Sequence, residues 1–143
     1  MLLPSLAGSD FRVNSLISGT QDWPRVAGFG NNFFVVWESE SSAGADNAPN
    51  SIEGRIVTNY NQFPSSQFLI NQYTDQSQGF PGISGYKGRI ATAWRSQRNA
   101  ETSENVIEAI HRSYRSCSSG LRRGHQLLYR NSSFRASRRQ LPA

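Results

Sequence analysis

The 143-residue sequence has one cysteine, one methionine and two histidines. Cys117 alone cannot close a disulfide within the chain. No Cys/His set with zinc spacing surrounds it, so a disulfide scaffold and a structural zinc module are both excluded. Nor is there an Asp-x-Asp-x-Asp-Gly calcium loop, a glycine-rich phosphate loop or a Gly-x-Ser-x-Gly elbow, and no cofactor or metal is expected. No apolar run nears the roughly 20 residues that span a bilayer. Met1–Gly8 has no basic start and is broken by Pro4, so it does not read as a signal peptide. Acidic residues are absent after Glu108.

That last absence decides how the net charge of +5 is read. Residues 1–111 hold all 10 acids against 7 bases, whereas residues 112–143 hold 8 arginines and no acid. The basic balance that would suggest a nucleic-acid binder therefore belongs to the C-terminal segment alone, and the rest is mildly acidic. Helix-forming runs of Ala, Leu, Glu and Lys are also scarce. Three Trp, five Tyr, eight Phe and 12 Gly, with abundant Ser and Asn, point to an all-β class.

Internal self-similarity organises residues 11–111. Phe11, Asn14, Gln21, Pro24, Gly28, Trp37 and Ser39 recur as Phe68, Asn71, Gln78, Pro81, Gly85, Trp94 and Ser96, each 57 residues later. These are 7 identities over the 29 positions from 11 to 39, where average composition gives about 2. Each copy reads as short strands. Phe-x-(Val/Ile)-Asn alternates and ends on a turn former, and Pro-x-(Val/Ile) opens after a proline tolerated only at a strand start or edge. Phe33–Trp37 is a continuous apolar run, which predicts a strand covered on both faces. In the second copy Ile90, Thr92 and Trp94 keep their bulk while Ala91 and Ala93 do not, so the tryptophan-bearing face is the better specified one. Ser39–Asn50 reads as an exposed loop, Ile52–Thr58 as a further strand, and Val106–Ile110 as its counterpart.

Four strands per unit predict two propeller-type four-stranded blades in an incomplete array. The expected layout is a lead-in at 1–10, a first repeat at 11–67, an incomplete second repeat at 68–111 and an irregular basic tail at 112–143. Phe11–Asn14 would be the last strand of a preceding blade.

Phe-x-Val-Asn, Gln-x-x-Pro-x-Val-Ala, Phe-Val-Val-Trp-Glu-Ser and Ile-x-Gly-Arg, in that order, resemble a tandem repeat of large extracellular and cell-surface proteins of bacteria and ciliates. In those proteins the repeat often sits beside cadherin-like or haemolysin-type calcium-binding repeats. The resemblance implies a non-catalytic scaffold or adhesion role outside the cell. Its arrays usually run longer than two copies.

Trp37 and Trp94 fall on core strands and read as packing residues. Trp23 and Phe80 fall at a turn into a strand. They read first as a hydrophobic plug between blades, and second as a ligand-binding rim for a sugar ring. The carboxylates do not recur as a fixed pair, since Glu38 becomes Arg95 and Asp22 becomes Gly79. Glu53 and Glu108 do recur, and Glu53 beside Arg55 reads as an exposed cross-strand pair. Neither pattern supports catalysis, so no enzyme is expected.

The Arg/Ser-rich tail reads best as the product of a shifted reading frame, ahead of a solvated disordered segment or a phosphate-contacting tail. The expected partners are a protein or glycan surface, neighbouring repeats and other chains through open sheet edges. A lectin-like module that closes a propeller by oligomerising is the alternative.

Overall fold

A computed structural model describes residues 9–44, 46, 48–58, 63–99, 101 and 104–113. The expectations for most of the lead-in and for the tail from 114 onward, Cys117 included, lie outside these residues.

The described chain is all-β, with seven strands in two antiparallel sheets. Strands β1 (Gln21–Phe29), β2 (Asn32–Ser39), β3 (Ser51–Thr58) and β4 (Phe68–Leu69) form the first sheet in chain order. Strands β5 (Gln78–Tyr86), β6 (Arg89–Asn99) and β7 (Glu104–Ser113) form the second. β5 begins 57 residues after β1, and β6 begins 57 after β2.

Two tight hairpins build the sheets. Gly30 turns β1 into β2 at φ 55°, and Lys87–Gly88 turns β5 into β6 with φ of 44° and 74°. Positive φ at these central positions matches the twist of the flanking strands. β1 and β5 each contain a bulge at an aromatic–proline pair. The register slips by one residue between Asp22 and Arg25, and again between Gly79 and Gly82. Pro24 and Pro81 bring no N–H to the ladder, so the irregularity falls where a ladder bond is already missing.

The two sheets stack with β1 beside β5. Pairing puts Phe34, Val36, Ile52 and Ile56 on one face of the first sheet and Ile83, Ile90, Thr92 and Trp94 on one face of the second. These faces meet in a core that also holds Phe29, Ile70 and Ile110. Ala91 and Ala109 of the second sheet point the other way and are exposed.

The contact is heterologous: the tryptophan-bearing face of the second sheet lies on the opposite face of the first. Gly85 permits the closest approach. A Cβ there would fall 2.3 Å from the Gly28 carbonyl oxygen.

Several expectations are corrected. Phe11–Asn14 forms no strand, because among the described residues no strand lies beside it to pair with, and Phe11 rests on Phe63 with ring centroids 5.9 Å apart. The Phe-x-Ile-Asn strand shrinks to Phe68–Leu69, since Asn71 turns its side chain onto the neighbouring backbone. β7 begins at Glu104 and continues to Ser113, past the expected end at 111. Phe33–Trp37 is fully covered on the Phe34 and Val36 face and only partly on the other, where Trp37 is buried and Phe33 is not. Phe33 is 46% exposed, because no further sheet covers that side among the described residues.

Candidate functional site

The bulges bring Trp23 and Phe80 together. Both sit in left-handed backbone, at φ 52° and 56°, a conformation that costs a non-glycine residue about 1–2 kcal/mol. Each is 48% exposed, and the two rings meet with centroids 5.1 Å apart at an interplanar angle of 54°. The Arg95 guanidinium lies 4.6 Å from the centre of the Phe80 ring. The result is an aromatic pair astride the seam between the sheets, with a cation at one flank. It touches the neighbouring sheet, as a plug would, and keeps an open surface, as a rim would.

Glu38 holds the base of this rim. Its Oε2 accepts the Phe80 N–H at 3.1 Å, and its Oε1 accepts from Asn50 Nδ2 at 2.8 Å. Gly79 makes room for the carboxylate, because a Cβ there would stand 2.6 Å from Oε2. The Gln78 N–H donates to the Asn50 carbonyl at 3.0 Å and ties the start of β5 to the first sheet. The loss of Asp22 and Glu38 at the corresponding positions Gly79 and Arg95 therefore has a physical reason. The carboxylate of one sheet serves the backbone of the next, and the position facing it must be bare.

The recurring polar residues form joints between segments of the chain. Asn71 Oδ1 accepts the Ile52 N–H at 2.7 Å, while its Nδ2 donates to Asp46, the Tyr73 carbonyl and Gln78 Oε1 at 2.5, 2.8 and 3.1 Å. Asn14 repeats one of these bonds, to the Leu16 carbonyl at 2.7 Å. Gln21 Oε1 accepts from Trp37 Nε1 at 3.0 Å and from Ser39 Oγ at 2.9 Å. In the second sheet Gln78 turns toward Asn71, and Trp94 Nε1 and Ser96 Oγ are buried without a hydrogen bond among the described residues.

Trp37 and Trp94 are both buried, as is Pro81, while Pro24 is exposed. Phe68 stacks on Phe34 with centroids 5.6 Å apart.

Glu53 departs furthest from its sequence reading. It is fully buried, and Arg55 does not pair with it. The guanidinium instead donates to the carbonyls of Val13 and Ser65 and lies 3.9 Å over the Phe63 ring. Burial pushes the Glu53 carboxyl above its ordinary range. The Ala43 N–H, 2.8 Å from Oε1, and contacts from Gln67, Ser42 and Ser51 pull it partly back. Its counterpart Glu108 forms an ion pair with Arg98.

An open depression of about 340 Å³ lies between Ser65–Leu69 and Arg112, against the edge of β4. Among the described residues no three or more His, Cys, Asp or Glu side chains gather as a metal would require, and no helix is long and apolar enough to cross a membrane. No family model, curated protein or solved structure matches the chain.

Proposed function

We propose that the chain is a non-catalytic β-repeat module of extracellular type, a section of an array of propeller-like blades that serves as a scaffold or adhesion surface. The observation that carries this reading is the heterologous stacking of the two sheets. Ile83, Gly85 and Ile90 of the second sheet bury themselves against the first, and their counterparts Val26, Gly28 and Phe33 face outward on the far side of the first sheet. A stacking rule that leaves its own donor face open suits serial extension, as in repeat arrays stabilised by nearest-neighbour contacts. A concatenated chain, with residues 11–111 followed by a second 11–111, should unfold in one transition at higher denaturant than the single chain. Two independent transitions at the original midpoint would sink the reading.

A second reading, a lectin-like module, draws on the strained and half-exposed pair Trp23 and Phe80. Aromatic faces beside Arg95, Asp22 and Glu38 suit the apolar face and hydroxyl rim of a sugar ring. Binding to a panel of immobilised glycans, lost in both Trp23→Ala and Phe80→Ala, would favour it. An unchanged binding pattern in both variants would remove it.

A further inference from the structure

We propose that two copies of this chain associate head to tail, with the outward face of β1–β2 of one copy on the alanine face of β5–β7 of the other. In the same contact the Phe11–Asn14 segment of the first copy pairs with the outer edge of β7 of the second. The proposal rests on the stacking rule above and adds the partner, the faces and the register.

The contact inside the chain supplies the template. Val26, Gly28 and Phe33 occupy the register positions of Ile83, Gly85 and Ile90, which are packed against the first sheet. Val26 is 61% exposed and Phe33 46%, so this part of the donor face is an open apolar surface, while Trp37 on the same face is already buried by its own chain. The acceptor positions filled by Phe34 and Val36 in the first sheet are Ala91 and Ala93 in the second. Bulk has changed sides. Phe34 and Ile90 belong to the same internal core, whereas Ala91 would face the larger Phe33, so Phe33 offsets part of the bulk lost from Phe34 to Ala91.

Gly28 fits the same plan. A Cβ at Gly85 would strike the Gly28 carbonyl oxygen at 2.3 Å, whereas a Cβ at Gly28 meets nothing within 4 Å among the described residues. No contact among them requires glycine there, but a docked copy would.

The edge carries a second, independent match. In the first sheet β4 pairs with Glu53 and Gly54 of β3, the Ile70 N–H donates to the Ile52 carbonyl, and Asn71 Oδ1 accepts the Ile52 N–H. A Cβ at Gly54 would meet Ile70 Cδ1 at 2.7 Å and the Phe34 ring at 3.0 and 3.1 Å. On β7 the position of Gly54 is Ala109, and both obstacles are gone: Phe34 has become Ala91, and Ile70 corresponds to Val13, which has no Cδ1. Ile107, the counterpart of the fully buried Ile52, is 76% exposed, so the edge is open where the internal one is covered.

The donor segment is already held. Arg55 Nη1 donates to the Val13 carbonyl at 2.8 Å, and Gln67 Oε1 accepts the N–H groups of Ser15 and Leu16 at 2.8 and 3.2 Å. Strand addition to an open sheet edge, combined with burial of an apolar face, is an established mode of recognition. A heterologous contact of this kind closes into a ring or runs on as a filament.

Light scattering on the full chain across a range of concentrations tests this. Association should be concentration-dependent and persist in high salt. Gly28→Ala should keep the thermal midpoint of the parent and weaken association at least tenfold. Val13→Ile, which restores the excluded methyl, should weaken it in the same direction. A parent that stays monomeric throughout would overturn the proposal, as would a Gly28→Ala variant that associates like the parent. Association that collapses with salt would also overturn it, since it would place the contact on charged residues. A monomeric parent whose concatenated form still unfolds cooperatively would remove this inference alone and leave the array reading standing.

Discussion

At the scale of single residues, glycines at corresponding positions have opposite consequences. Gly85→Ala would press a methyl into the Gly28 carbonyl and should destabilise the fold by about 2–3 kcal/mol in chemical denaturation, within the range of a forced backbone shift. Gly28→Ala should leave stability within about 0.5 kcal/mol of the parent, as expected for a surface change away from special features.

Glu53 gives a prediction in pH. Its carboxyl is raised from 4.5 in the folded state, chiefly by burial, so the folded protein holds this proton at pH values where the unfolded chain has released it. Stability from this group is greatest below about pH 4.5 and falls as pH rises from there through the raised folded value. Glu53→Gln keeps an oxygen for the Ala43 N–H. It should be more stable than the parent at pH 7 and should lack the parent's loss between pH 4.5 and 7. A parental pH dependence retained by the variant would show that other groups set it. The burial of Glu53 was not legible in the sequence. Glu-Gly-Arg on a strand has the pattern of a solvated pair, and it is the return of Ser42–Ala43 over β3, with Gln67 alongside, that takes the carboxylate out of water.

At the scale of elements, the bulges are the unusual feature. Phe80 is held at positive φ, where glycine has no penalty, so Phe80→Gly should be more stable than Phe80→Ala by about 1 kcal/mol. In an ordinary strand position that order reverses, and urea titration of the two variants decides between them.

The aromatic–proline pair was visible in both copies of the sequence, but its left-handed backbone was not. The conformation arises when one extra residue must be absorbed without turning the following strand over. Phe11–Asn14 teaches a related lesson. Its alternation matches that of Phe68–Asn71, yet only the latter has β3 beside it. Local pattern fixes what a segment can become, and the neighbouring edge decides whether it pairs.

At the scale of the whole molecule, the face preference was readable. The contrast of Thr92 and Trp94 with Ala91 and Ala93 marked the tryptophan-bearing side of the second copy as the better specified face, and Trp94 lies in the core. The open face of Phe33 was hidden, because a continuous apolar run reports the capacity for burial on both sides and says nothing about when the second cover arrives.

The central claim is that one stacking and pairing rule relates the sheets within the chain and continues beyond it. Amide hydrogen exchange at Ile107, followed as protein concentration rises, tests it most directly. The Ile52 N–H, bonded to Asn71, should exchange slowly at every concentration. The Ile107 N–H should be fast in dilute protein and slow at least tenfold on concentration, as Asn14 of a second copy takes the place that Asn71 holds on Ile52. An Ile107 rate independent of concentration would contradict the account.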